Sequence, residues 1–175
     1  MKLNVGCGTD IRPGWINLDS VALPGVDVCH DLNDMPLPFE SNSLDQILCQ
    51  DILEHIHGYP RLLKDLHRIL KPGGVVDIRV PHFTSKDAYS DPTHVRLFSV
   101  WTFVYFSSQH TRNYYFDFAF SELRVVHVCF DRRLGYPWNY LLEPLVNLSR
   151  TAQNVYEGSP LRVFPATNLL VTLVK

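Results

Sequence analysis

A chain of 175 residues, 46% hydrophobic and 19% charged, has the composition of one globular domain with one core. A formal net charge of -2, with Lys and Arg scattered, leaves no basic footprint for nucleic acid or an anionic membrane surface. No apolar stretch reaches the roughly 18 residues of a membrane span. The first residues already read as a strand, with no room for a leader, so a cytoplasmic location is expected.

Short apolar runs separated by turns fill the first half. Strands are expected over residues 3–5, 15–18, 26–29, 44–49 and 74–80. They are β-branched and partly continuous in apolar character, as in a sheet buried on both faces. Between the fourth and fifth, Leu62, Leu63, Leu66, Ile69 and Leu70 recur at helical spacing. Pro60 suits the first turn, and Lys71-Pro72-Gly73-Gly74 stops the helix. Strand, helix, strand makes a βαβ unit and hence a parallel sheet. Residues 82–120 are crowded with aromatics. A strand is expected over 123–130, a helix around 138–156 and a final strand over 168–174. The fold class is α/β: a Rossmann-like, mostly parallel sheet of about seven strands with an antiparallel last strand. Its first helices are reduced, and an aromatic insert follows the fifth strand. All of it forms one domain over residues 1–175.

Gly6 and Gly8 end the first strand, where glycines let the backbone approach a ligand closely. Asp19 ends the second, where a carboxylate can accept two hydrogen bonds from a ribose diol. Together they imply a nucleoside-containing cofactor at the carboxyl edge of the sheet. A tight turn and its cap would use the same residues. Asp31, just past the third strand, suits an adenine amino group. Leu32 offers apolar packing and a backbone donor. Cys49, Gln50 and Asp51 end the fourth strand at the same crevice.

"LNVGCG", "INLD", "HDLNDMPLPF", "LDQILCQDILEHI" and "HRILKPGG", in that order, resemble class I S-adenosylmethionine-dependent methyltransferases. The resemblance is closest to the small type-11-like branch and covers residues 3–81. It implies S-adenosylmethionine as cofactor and a seven-stranded sheet whose last strand is antiparallel. By that resemblance, Gly6, Cys7 and Gly8 lie at the methionine part. Asp19 binds the ribose with Leu18 packed nearby, Asp31 and Leu32 hold the adenine, and Gln50 stands near the sulfonium. Asn4 occupies the place of the family's usual acidic residue; it can accept a hydrogen bond but brings no carboxylate. Thr9-Asp10 follow Gly8 where a third glycine would stand, which argues against a dinucleotide fingerprint. Residues 9–14 are too few for a crossover helix, which with its loops needs about a dozen.

The expected function is methyl transfer to a small-molecule or small polar conjugate acceptor. A catalytically inactive relative that only binds the adenosyl cofactor is the alternative, with a metal-dependent hydrolase built on the His/Asp insert further behind. Residues 82–120 are expected to form a substrate lid, although their aromatics would equally serve a core or a dimer surface. His94, His82 and His55 are the candidate general bases. His82, Asp87, Asp91 and His94 match no metal-ligand spacing, so no metal is expected. The cysteines, with no CxxC pair, read as free thiols. A homodimer partner is the expected cover for a sheet face that lacks its first helices.

Overall fold

The computed structural model describes residues 1–111, 113–133 and 136–175. The apolar runs pair into one sheet of seven strands. They are β1 (Lys2–Val5), β2 (Ile16–Asp19), β3 (Val28–Cys29), β4 (Leu44–Gln50), β5 (Leu70–Pro81), β6 (Glu122–Val128) and β7 (Asn168–Val174). Their order across the sheet is β3-β2-β1-β4-β5-β7-β6. The first five are parallel, and β7 runs antiparallel to both β5 and β6. The order reverses between β1 and β4, which opens a crevice at the carboxyl ends of those strands, where ligands bind in open α/β sheets.

Helix α1 (Tyr59–Ile69) begins with Pro60 in its first turn and ends where Leu70 turns extended. Leu62, Leu63, Leu66 and Ile69 are fully buried beneath it. β5 starts at Leu70 rather than at residue 74, because Leu70 pairs with Leu44 before a register shift carries the ladder to Gln46 and Val75. β3 is shorter than the expected 26–29. Val26 belongs to a turn instead, its N–H donating to the Leu23 carbonyl, and Asp27 keeps one backbone bond to β2, its N–H donating to the Asn17 carbonyl. The helix expected around 138–156 is two, α3 (Asn139–Val146) and α4 (Arg150–Gly158). Asn147 leaves the helical path to exchange hydrogen bonds with both backbone groups of Val128. Ser149 then caps α4 by accepting from the Ala152 N–H at 3.1 Å.

A short helix α2 (Asp87–Ser90) opens the aromatic insert. Part of the insert's aromatic content is packed into the core. Phe98, Phe103, Phe106 and Phe120 are at most 1% exposed. Phe106 stacks on Phe116 with ring centroids 4.5 Å apart and meets the edge of Tyr59 from α1 at 5.7 Å. Burying large rings is strongly favourable, so Phe98, Phe103, Phe106 and Phe120 extend the core over α1. Residues 83–96 remain near the carboxyl edge.

Phe106→Ala should therefore cost about 3–5 kcal/mol of stability in urea unfolding, the range for a deleted core aromatic. A lid ring would change it by under about 0.5 kcal/mol.

Candidate functional site

β1 ends in Gly6 and Gly8, both with left-handed backbone, at φ +64° and +48°. The conformation favours glycine, and at Gly6 space forbids anything else: a Cβ would stand 2.5 Å from Ile52 Cγ1. The Gly8 N–H donates to Asp19 Oδ2 at 2.8 Å, and Asp19 Oδ1 accepts from the Val21 N–H at 3.0 Å. The carboxylate thus clasps the ends of β1 and β2. It also explains how two strands can run parallel with so few residues between them.

The loop joining them is pinned from below by two buried amides. Asn4 donates to the Asp10 carbonyl at 2.7 Å. Asn17 Oδ1 accepts from the Arg12 N–H at 2.9 Å, while its amide group donates to the carbonyls of Arg12 and Trp15 at 3.3 Å. Asp27 Oδ2 accepts from the Asn17 N–H at 2.8 Å. Backbone groups that a crossover helix would have paired are paired by side chains instead. Arg12 then reaches over β1, donating to Asp10 and to Gln50 Oε1 at 2.9 Å.

Above this loop lies a cleft of about 200 Å³ between the ends of β1, β4 and β5. Asn4, Gly6, Cys7, Asp10, Gln50 and Asp51 line it, with Arg79. Asp51 holds an unusual left-handed backbone at φ +51°, and Arg79 donates through Nε to both Asp51 carboxylate oxygens at 3.0 Å. Burial, then the nearby Asp19 carboxylate, raises the Cys7 thiol, which leaves it protonated rather than nucleophilic. All four cysteines are free.

The nine residues expected to bind the cofactor do not converge fully. Asn4, Gly6, Cys7 and Gln50 share the cleft, and Gly8 and Asp19 border it through their mutual hydrogen bond. Leu18 is fully buried in the core and offers a ligand no side-chain surface. It contributes its carbonyl, which accepts from the Cys7 N–H at 3.0 Å. Asp31 is exposed. Its Oδ1 accepts from the Asn33 N–H at 2.8 Å, which holds the carboxyl below its usual range. Leu32 lines a neighbouring depression of about 230 Å³ with Ile56 and Arg61.

A second pocket, about 390 Å³, meets the first at Asp51 and is lined by Glu54, His55, Asp87, Asp91 and His94. Two of the expected bases are therefore together: the His55 and His94 rings lie 4.7 Å apart, edge to face. His82 is not with them. It is fully buried, with Nε2 2.9 Å from Glu157 Oε1 and Nδ1 2.8 Å from Thr84 Oγ1, so it braces β5 against α4. Glu54, which the sequence reading passed over, is 1% exposed, and burial pushes its carboxyl up to about 7. The signal was a lone carboxylate inside the apolar "ILEHI". A third pocket, about 350 Å³, shares Asp87 and is rimmed by Tyr136, Trp138 and Phe164. The buried Asn139 Oδ1 on its wall has no hydrogen-bond partner.

Residues 3–78 match the family model described as a methyltransferase domain of type 11. That segment is somewhat under half of the chain, and over it the chain resembles class I methyltransferases, in keeping with the Rossmann-like strand order above. Demethylmenaquinone methyltransferase of Staphylococcus epidermidis is 37% identical over 57 residues. These are 33% of this chain and 23% of that relative, so the match spans about a quarter of the curated protein. A SAM-dependent methyltransferase from Archaeoglobus fulgidus superposes with a TM-score of 0.63 at 14% identity, covering 99% of this chain and 85% of that one. Phosphoethanolamine N-methyltransferase 2 of Haemonchus contortus, solved with S-adenosyl-L-methionine, gives 0.60 at 19% identity, covering 99% of this chain and 48% of its own. At such identities the structures establish the shared fold. Among the described residues no helix is long and apolar enough to cross a membrane.

Asn17→Ala should lower stability by about 1–3 kcal/mol, because it strands the half-buried Arg12 N–H. Urea unfolding with and without an adenosyl ligand would check this. An unchanged midpoint would show that the loop does not depend on its amides.

Proposed function

We propose that this protein transfers a methyl group from S-adenosylmethionine to a small-molecule acceptor. The observation that carries the reading is the cleft at the switch point, where left-handed Gly6 and Gly8 follow β1 and the Gly8 N–H meets Asp19 at 2.8 Å. The residues fit the cofactor in charge as well as shape. Asp10, Asp19 and Asp51 stand around the cleft, while Arg12 and Arg79 are each paired with one of these carboxylates. A cationic ligand therefore meets no free guanidinium from these two side chains. A Cβ at Gly8 would meet nothing within 4 Å, so that side of the loop is open.

Asp19 would take the ribose hydroxyls, with Gly6, Cys7 and Gly8 under the amino-acid part and Gln50 beside the reacting centre. Asp31 and Leu32 would border the adenine, and Asn4 would hold the loop beneath. When bound, the cofactor supplies an electrophilic methyl group on sulfur. The protein's contribution is orientation and exclusion of water. The acceptor would enter by the pocket rimmed by Tyr136, Trp138 and Phe164, with Asn139 Oδ1 accepting a hydrogen bond from it. His55 and His94 stand between that pocket and the cleft and are the histidines placed to take an acceptor proton. The relatives' own acceptors are not carried over. The matched segment, residues 3–78, ends before the acceptor pocket begins.

A thermal shift with S-adenosylmethionine, S-adenosylhomocysteine and NAD tests the reading. At about 100 times its dissociation constant a ligand adds ~2.7 kcal/mol, a rise of several degrees. Both adenosyl compounds should stabilise the protein and NAD should not. Asp19→Ala should weaken adenosyl binding by about 1.5–3 kcal/mol. It should also lower the ligand-free midpoint, since the N–H groups of Gly8 and Val21 lose their acceptor. An equal ligand response in wild type and variant would place the ribose elsewhere.

A further inference from the structure

Glu54 is the anomaly of the second pocket. It is 1% exposed, and neither carboxylate oxygen has a hydrogen-bond partner. A buried charge left alone is costly, and native structures rarely leave one without a counter-ion, a proton or a metal. Beside it stand His55 and His94. One ligand-capable atom from each of the three lies within 4.8 Å of the other two. Ligands about 2.1 Å from a common ion stand roughly 3–4 Å apart, so a small rotation brings the set to bonding distance.

The surroundings have prepared both imidazoles. The Thr93 hydroxyl donates to Asp91 Oδ1 at 2.6 Å, so it must accept from its other neighbour, His55 Nδ1, at 2.8 Å. That fixes the proton on Nδ1 and leaves His55 Nε2 a free lone pair. His94 Nδ1 is 3.3 Å from the Ala88 carbonyl, which can only accept, so the proton sits on Nδ1 and Nε2 is likewise left with a free lone pair. An outer hydrogen bond to a carbonyl or a hydroxyl is how metal-binding histidines are commonly oriented. Asp91 Oδ2 lies 3.9 Å from His94 Nε2, and Asp51 and Asp87 add negative charge around the pocket. Arg79, a cation that acts on Glu54, is taken up by Asp51.

We propose that Glu54, His55 and His94 form a site for one divalent transition-metal ion of zinc-like, borderline character. Two imidazoles and a carboxylate suit zinc or iron(II) better than magnesium, which prefers oxygen ligands and retained water. The site differs from the His82, Asp87, Asp91 and His94 set that the sequence brought to notice, because two of its three ligands precede α1. It meets the cleft at Asp51. Under the methyl-transfer reading, on which this consequence alone rests, an ion here would bind an acceptor through oxygen and lower the pKa of that group. The imidazoles would then serve as ligands rather than bases.

The test is equilibrium dialysis of the tag-free, chelator-stripped protein against Zn²⁺ and, separately, Mg²⁺, with metal content read by mass spectrometry. Wild type should retain about one Zn²⁺ per chain and far less Mg²⁺. Glu54→Gln, which keeps the shape and removes the buried charge, and His94→Ala should each weaken Zn²⁺ uptake by at least tenfold. Circular dichroism confirms that the variants are folded, and His55→Ala serves if either is not. Wild type without bound zinc, or folded variants that bind as well as wild type, would overturn the site. The thermal shift with adenosyl ligands is read on the same metal-free samples. Zinc uptake without an adenosyl response would remove the methyltransferase reading and keep the metal site, and the reverse pattern would do the opposite.

Discussion

The structure depends on how β1 is joined to β2 without a helix. A parallel pair needs its chain carried back across the sheet, and a helix usually does this while satisfying its own backbone groups. Here residues 6–15 make the return as an irregular loop. Their peptide groups find partners in the side chains of Asn4, Asn17 and Asp19. The first two amides are almost wholly buried, which strengthens each hydrogen bond and makes each one costly to break. The carboxyl edge follows from this: the cleft beside the loop is small, about 200 Å³, and Asp19 meets Gly8 at hydrogen-bond distance.

The same economy accounts for where the aromatic residues went. A sheet short of helices at its first crossovers still needs cover, and α1 covers only part of one face. Phe98, Phe103, Phe106 and Phe120 extend that cover. At the edge itself three pockets are linked through Asp51 and Asp87. Polar residues collect there because the loops, rather than the strands, supply the walls.

Much of this was legible in the residues. The 3.6-residue spacing of Leu62, Leu66 and Ile69 with Pro60 ahead of it marks α1, and "NLLVTLV" is β7 to the residue. Gly8 and Asp19 are near each other as their spacing suggests. The failures have physical causes. α3 and α4 read as one helix because Asn147, which separates them, acts through a contact with Val128 that no local pattern encodes. Leu18 and His82 carry the right residue types but face inward, and the facing of a side chain in a two-sided sheet is set by its register. Glu54 was overlooked because its meaning lies in what it lacks, and the absence of a hydrogen-bond partner is visible only in three dimensions.

Of the seven strands, β7 comes last in the chain yet lies inside the sheet, between β5 and β6. Until it is in place, β6 has no partner and β5 has an open edge. During synthesis, then, the amino-terminal half can assemble its parallel strands early, while β6 waits on a segment more than a hundred residues downstream of β1. An unfinished chain would expose an unpaired, strongly apolar edge, the kind that other chains can add to. Insertion of β7 is thus both the closing step of the sheet and the event that removes its adhesive edge.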